Sequence, residues 1–383
     1  MNVFIGLEIH LQLKTNTKLF CGCSNSTCPV CLGYPGTMPS VNKEAIRLAG
    51  VLASGLKATL QDSKFERKHY FYFDSTKNYQ TTPIMLNGQI EIDEFDFPTD
   101  ARPKSSFDKI IRLHHAHVEE DVGKLTHFSE HSVADYRRGG LPILEIVTLP
   151  EIKSPEETVA VITSLCDLAQ RLGVSTARAE LGEIRVDCNI SVSHNDELGV
   201  KVELKNMNSL SAIRKALAFE IKRQTDNYGS IIQETRRWDD KTNTTEAMRE
   251  KENAMDYRYM PEPNLGVIQK IVEKYIPETP KELQKRLVSN NVSRGIASVI
   301  AKSETLSHLF YNVVVDDIVG FCKLLANDIS AAMKEHVVEV HHIQTLMNFV
   351  KLHKFDKNAL AQILSGVTPT ASHVETLEDL QKV

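Results

Sequence analysis

From Val3 to Leu13 the chain alternates. Val3, Ile5, Leu7, Ile9, Leu11 and Leu13 share one face, and Phe4, Gly6, Glu8, His10 and Gln12 share the other, the period-two signature of a half-buried strand. Glu8 and His10 therefore point the same way. A helix is expected over Asn42 to Gly55, and aromatic-rich, strand-like segments follow, including His69-Tyr-Phe-Tyr-Phe73. Residues 154 to 172 carry the clearest helical signal. Ser154 is the N-cap, Pro155 takes the first position and Glu157 completes a capping box; Ile162, Leu165, Cys166, Ala169 and Leu172 form an apolar stripe that Gly173 ends. A second helix should run from Ser209 to near Tyr228, with Ile213, Ala216, Leu217 and Ile221 inward and Gly229 as the stop.

Between these helices the pattern returns to period two. Ile184, Val186, Cys188, Ile190 and Val192 face a core, opposed by Glu183, Arg185, Asp187, Asn189 and Ser191. After the turn His194-Asn-Asp-Glu-Leu-Gly199, Val200, Val202 and Leu204 form the apolar face, opposed by Lys201, Glu203 and Lys205, so a hairpin is expected. Beyond Pro263 glycine thins out and helix-like stretches such as Ala331 to Leu352 and Asn358 to Leu364 dominate. Pro261, Pro263, Pro277 and Pro280 mark the change, which predicts one domain over 1–264 and a helical one over 265–383.

Composition narrows the class. With 383 residues, 42% apolar and 25% charged, the chain is an ordinary globular one, long enough for a core without disulfide staples. The net charge of −5 means that any contact with nucleic acid must be a local patch. No run of about 18 apolar residues exists, and Glu8 and His10 interrupt the stretch that a signal peptide would need. The expectation is a soluble protein without membrane contact, cytoplasmic or in an organellar matrix.

Four of the seven cysteines cluster, as Cys21-Gly-Cys23 and Cys28-Pro-Val-Cys31. Two close pairs can converge four thiolates on one zinc ion; the competing readings are local disulfides or a redox pair, which a reducing compartment disfavours. Four thiolates leave no open position, so the site would be structural. Cys166, Cys188 and Cys322 read as buried small hydrophobes.

The acidic groups suggest a second metal site. Glu8 with His10, then Glu119-Glu120-Asp121, then Glu145 inside Ile143-Leu-Glu-Ile-Val147, lie in or beside strands. A carboxylate in a strand core needs a partner or a metal, and oxygen ligands with one imidazole suit magnesium or manganese. Taken singly, Glu145 could pair with Arg137 or Arg138, and Glu8 could sit on a solvent face. Arg185, Lys201 and Lys205 could meet phosphate oxygens or form cross-strand ion pairs. Arg214 to Arg223 and Arg236-Arg237-Trp238 could meet a nucleic-acid backbone or simply be solvated. No GxxxxGK[ST], GxGxxG, kinase or GxSxG signature occurs.

Read together, Gly6-Leu-Glu-Ile-His10, Cys28-Pro-Val-Cys-Leu-Gly33, Phe65 to Tyr72, His117 to Lys124, Leu144-Glu-Ile-Val147, Arg185-x-Asp187-x-Asn189-x-Ser191, Glu203 to Ser209, Gln233 to Arg236, and Asp256 to Tyr259 with Pro261-Glu-Pro263 resemble the B subunits of the aspartyl/glutamyl-tRNA amidotransferases. The resemblance implies an α+β fold whose antiparallel-sheet catalytic domain is of glutamine synthetase type, carries a zinc-binding loop and is followed by an α-helical domain. It implies a kinase-like transamidase that uses ATP and Mg2+ to phosphorylate the side-chain carboxylate of Glu on tRNA(Gln) or Asp on tRNA(Asn). Its partners would be an amidase (glutaminase) that releases ammonia from glutamine, a small third protein that clasps the two, and the mischarged tRNA. By matching, Glu8, His10, Glu120 and Glu145 would ligate magnesium, with Glu119 as the alternative, while Arg185, Asp187, Lys205 and Asn206 would line the phosphate region. The family's tRNA-gripping C-terminal tail is expected to be shortened.

Some positions depart from the family pattern. His115 stands where arginine is usual, Phe73 where proline, Asn78 where glycine, Arg137 where asparagine, Ser193 where arginine and Asn264 where aspartate. Two other readings stay open: a zinc-stabilised tRNA-binding scaffold without chemistry, and an ammonia ligase acting on a small amino acid.

Overall fold

The computed structural model describes residues 1–69, 73–250, 258–313, 315 and 317–333. The middle of the 69–73 aromatic stretch, the start of the Asp256 motif, the helical stretches expected beyond 333 and the tail expected to be short lie outside the described residues. Contacts divide the chain into two units, Met1–Pro277 and Glu278 onward.

In the first unit the strands are β1 (Asn2–Gln12), β2 (Thr59–Leu60), β3 (Ser63–Arg67), β4 (Tyr79–Thr81), β5 (Met85–Leu86), β6 (Gln89–Asp93), β7 (Asp108–Glu120), β8 (Lys124–His127), β9 (Ser132–Asp135), β10 (Pro142–Thr148), β11 (Ile184–Ser193), β12 (Val202–Lys205), β13 (Glu234–Asp239), β14 (Thr244–Glu250), β15 (Met260–Pro261) and β16 (Val267–Ile268). All but β8 and β9 join one large sheet whose main path is β14-β13-β12-β11-β1-β10-β7-β4-β3-β15. Its pairs are antiparallel except β12 with β13, so the sheet is mostly antiparallel. Helices α1 (Lys43–Gly55), α2 (Pro155–Arg171) and α3 (Leu210–Asp226) pack on it, α1 against β7, α2 against β6 and α3 against β11.

The odd-numbered face of β1 explains this packing. Ile5, Leu7, Ile9 and Leu11 are buried in one core with Leu52 of α1, Leu165 of α2 and Leu217 of α3. The even-numbered face is left for polar groups.

Local chemistry sets the helix ends. Asn42 caps α1 by accepting from the Glu44 N–H, Ser154 caps α2 through Glu157 N–H and Ser209 caps α3 through Ala212 N–H, each at 3.0 Å. The expected capping box at α2 is only half formed. The Glu157 carboxylate accepts from Lys109 and from the Lys153 N–H instead of closing on Ser154, because a lysine ammonium competes better for it than a backbone amide. Gly173 ends α2 at φ +67°. The β12 strand begins at Val202, not Val200: Val200 is exposed, since the connection closes over the end of β11 where Gly199 abuts the Val192 carbonyl.

Residues past 264 still belong to the first unit. β16 pairs with β3, and the Lys270 N–H donates to Asp62 at 2.9 Å. The second unit is helical among its described residues. α4 (Pro280–Ser289), α5 (Arg294–Lys302), α6 (Glu304–Asn312) and α7 (Ile318–Lys323), which continues through a π-helical turn into α8 (Ser330–Ala332), enclose Leu283, Leu287, Ile300, Leu309, Phe321 and Leu325. No helix of the described residues is long and apolar enough to cross a membrane.

Gly50 is where α1 meets the 265–277 segment, and a Cβ there would stand 2.1 Å from the Ile271 carbonyl oxygen. Gly50→Ala should destabilise the protein by about 1–3 kcal/mol. Gly22→Ala, which meets nothing within 4 Å, should stay within about 0.5 kcal/mol of wild type. Chemical denaturation of both variants checks this; equal stability would show that the helix–segment contact does not constrain the fold.

Candidate active site

Strand register builds the site. Directly paired residues of antiparallel strands share a face, and β1 lies between β10 and β11 while β10 lies between β1 and β7. His10 pairs with Glu145, and Glu145 pairs with His117, so three strands place imidazole, carboxylate and imidazole in one row. Glu8 pairs with Asp187, and Asn189 pairs with Glu203 on β12, which makes a neighbouring acidic row. Apart from Asn189, these residues line a cavity of about 580 Å3 together with Glu119, Lys205, Tyr79 and Tyr259.

Two ligand groups result. His10, Glu119 and Glu145 offer atoms within 4.8 Å of one another, as do Glu8, Asp187 and Glu203. His10 Nε2 lies 3.2 Å from Glu145 and 3.5 Å from Glu119, close to the roughly 3 Å between neighbouring ligands of an octahedral cation at about 2.1 Å. His117 Nε2, buried and without a hydrogen-bond partner among the described residues, stands 3.5 Å from Glu145. In the second group Asn189 donates to Glu8 at 2.8 Å and Thr235 to Glu203 at 2.9 Å. Lys205 spans Asp187 at 2.6 Å and Glu203 at 3.2 Å. The donors are hard oxygens with imidazole, the set that suits magnesium or manganese.

The carboxylates and imidazoles shift each other. Burial alone would lower the pKa of His117, but Glu119 and Glu145 outweigh it and push it up to about 9. His10 is raised in the same way, against its burial, by Glu145, Glu119 and Asp187. Glu145 moves below the carboxylate range because His10 and His117 overcome its desolvation. His115, stacked on His117 with centroids 5.7 Å apart, goes the other way, down to about 4, through burial and the charges of His117 and His114. Lys205 is raised, its burial overcome by Asp187 and Glu203.

Of the residues singled out in the sequence, Glu8, His10, Glu119, Glu145, Asp187 and Lys205 come together here. Glu120 lines the same cavity but projects from the other face of β7, where Lys77 lies 2.9 Å from its Oε2 and burial raises its pKa. Arg185 turns to Asp121 at 2.7 Å, which Arg138 also holds, and Asn206 is exposed at φ +64° just past β12. Arg137 pairs with Asp135, so neither Arg137 nor Arg138 partners Glu145. The arginines of the basic stretches are engaged internally: Arg214 with Asp100 and Glu156, Arg223 with Glu220, Arg236 with Glu234, Arg237 with Glu246. Sequence reasoning misses His117 and Glu203, although His117 stands two residues before Glu119 on one strand and so shares its face.

The four clustered cysteines also converge. Cys21 Sγ is 3.3 Å and Cys28 Sγ 3.7 Å from Cys31 Sγ, and all four sulfurs lie within 4.8 Å of one another. A tetrahedral zinc with bonds of about 2.3 Å would set them about 3.8 Å apart. Without metal, burial pushes the Cys21 thiol up to about 12.

The row His10–Glu145–His117 makes stability depend on pH. His117 titrates above its unfolded value, so in metal-free protein its contribution is complete below about pH 6.5 and is lost as pH rises through about 9. Glu145 titrates below its unfolded value, so its contribution is lost only in acid. With chelator present, the stability gap between wild type and His117→Gln should be widest near about pH 6 and should narrow by about pH 10. A gap that stays constant in urea denaturation across that range would contradict the charged row.

The family profile described as the GatB/GatE catalytic domain matches residues 3–276. Among curated relatives, each an aspartyl/glutamyl-tRNA(Asn/Gln) amidotransferase B subunit, that of Clostridium kluyveri is 38% identical over 88% of this chain and 75% of its own length. That of Methylacidiphilum infernorum is 39% identical over 94% of this chain and 82% of its own. The Brevibacillus brevis protein is 41% identical over 81% and 68%. With the matched domain containing every residue of the two ligand groups, the chain belongs to the family of aspartyl/glutamyl-tRNA(Asn/Gln) amidotransferase B subunits.

Proposed function

We propose that this chain is the component that activates the side-chain carboxylate of Glu on tRNA(Gln), Asp on tRNA(Asn), or both, with ATP, and then amidates it. Ammonia would come from a partner amidase acting as glutaminase, held with this chain by a small third protein. The observation that carries the reading is the pair of hard-ligand groups, His10–Glu119–Glu145 and Glu8–Asp187–Glu203, in one cavity on one sheet face. A mostly antiparallel sheet bearing acidic strand residues supports the likeness to the glutamine synthetase fold.

The chemistry follows from leaving groups. A carboxylate oxygen leaves poorly and phosphate leaves well. The substrate carboxylate attacks the terminal phosphorus of ATP, forming a C–O–P bond and releasing ADP; ammonia then attacks the acyl carbon, and phosphate departs with the oxygen. Magnesium, when bound, neutralises phosphate oxygens. His10, Glu119 and Glu145 would hold one cation and Glu8, Asp187 and Glu203 a second, with His117 backing Glu145. With cations held by Asp187 and Glu203, the Lys205 ammonium would be available to a phosphate oxygen. Tyr79, Val122 and Tyr259 wall the cavity and limit water, which would hydrolyse the activated acyl group. Cys21, Cys23, Cys28 and Cys31 would hold a structural zinc.

In the assembled complex, Glu145→Gln and Glu119→Gln should each cut ATP-dependent amidation at least about tenfold and leave glutamine hydrolysis measurable. Undiminished amidation in both would remove the metal assignment. ATP hydrolysis should respond to mischarged tRNA and not to free glutamate; stimulation by free glutamate alone would instead favour a small-molecule ligase, and no ATP hydrolysis at all a tRNA-binding scaffold.

A further inference from the structure

Two lysines lie buried between the four-cysteine loop and the wall of the catalytic cavity, and the chemistry above uses neither. Lys18 is only 1% exposed. Its Nζ donates to the Tyr136 carbonyl oxygen at 3.0 Å and stands 3.6 Å from Cys31 Sγ, and it forms no ion pair with a carboxylate among the described residues. Lys77, 8% exposed, reaches Glu120 Oε2 at 2.9 Å and the Val30 carbonyl oxygen at 3.3 Å. Beside it, the Thr76 hydroxyl donates to the Cys31 carbonyl at 2.7 Å. Cys31 is thus gripped through its sulfur by Lys18 and through its backbone by the segment that carries Lys77. Lys18 and Glu120 approach each other over Gly140, where a Cβ would be 3.4 Å from Lys18 Cδ and 3.7 Å from Glu120 Oε2.

The charges do not balance with neutral thiols. Two ammonium groups face one carboxylate, and Lys18 is left with a carbonyl and a sulfur, an arrangement strongly disfavoured for a buried cation. Four thiolates around a divalent metal carry a formal charge of −2 (2 − 4). That anion is the counterion Lys18 lacks.

We infer that Lys18 is the charge partner of a zinc–tetrathiolate at Cys21, Cys23, Cys28 and Cys31, and that through Cys31 and the Lys77–Glu120 pair it positions one wall of the catalytic cavity. This rests on the zinc reading above and gives it a role in the cavity. Loss of the metal would strand Lys18, which approaches Glu120 over Gly140, and would draw Glu120 away from Lys77.

Zinc affinity of the full chain, measured by competition with a chromogenic chelator, tests the charge. Lys18→Met keeps the length and removes the charge, and should weaken zinc at least about tenfold; Lys18→Arg should recover most of that loss. Glu120→Gln removes a neighbouring anion and should tighten zinc about threefold. The opposite signs separate charge from packing, because damaged packing weakens both. Hydrogen exchange tests the cavity arm: zinc should slow exchange of the 118–122 amides in wild type. Wild type that fails to bind zinc removes the zinc reading. Zinc binding to Lys18→Met as tight as to wild type overturns the inference and leaves that reading intact. If Lys18→Met does not fold, unchanged or weaker zinc binding by Glu120→Gln overturns it instead. Exchange at 118–122 that ignores zinc removes the coupling to the cavity.

Discussion

Strand register is the constraint on which the rest of the molecule depends. A slip of one residue in β1 would carry His10 and Glu8 into the core and Ile5, Leu7, Ile9 and Leu11 out of it. The packing of α1, α2 and α3 on the odd-numbered face of β1 therefore holds the polar face in place. Four fully buried side chains at about 1.5–3 kcal/mol each make that slip prohibitive. The geometry of the ligand groups is a by-product of hydrophobic burial on the opposite side of the sheet.

The same register creates an electrostatic demand. Glu8, Glu119, Glu145, Asp187 and Glu203 crowd one sheet face, where His10, His117 and Lys205 answer them. One set of contacts both lowers the Glu145 pKa and raises those of the imidazoles. A cation held here would have to displace the protons and the ammonium that answer these acids, so metal affinity should weaken as pH falls. Exposed pairs such as Arg137 with Asp135 differ in kind, because water answers either partner and the net stabilisation is small.

What can be read from the sequence is whatever depends on short range. The β1 alternation, the Ser154 cap, the helix starts at Asn42 and Ser209, and the cysteine cluster each rest on spacing within a few residues, and the structure has them in place. The site is legible in part. Glu8, His10, Glu145 and Asp187 stand out as acids and imidazole inside strands, but ranking Glu120 above Glu119 ignores the face on which each projects from β7. His117 and Glu203 become visible only when β7 is aligned with β10 and β12 with β11, which is long-range information. Arg185 shows a related limit: its backbone is paired with His10, yet its long side chain reaches Asp121, and no strand pattern specifies where a flexible guanidinium ends.

The departures from the family pattern divide by the demand made on each position. Asn78, read from the sequence as standing where glycine is usual, sits at φ +57° in the cavity lining, a conformation that asparagine tolerates better than other side chains. Asn264 folds back on Glu262 at 2.7 Å and Ser193 on Asn195 at 2.6 Å, both satisfied locally. His115 is the position among these that bears on the charge of the cavity lining. An arginine there would add a permanent cation beside His117; the imidazole, held down to about 4, adds none near neutral pH. It stacks on His117 and leaves the anionic ligand groups uncontested by a further positive charge. The positive groups that line the cavity are then Lys68, Lys205 and the imidazoles His10 and His117, whose pKa values the neighbouring carboxylates raise; Lys205 and both imidazoles already answer carboxylates, so an anion entering here would compete with those acids for them.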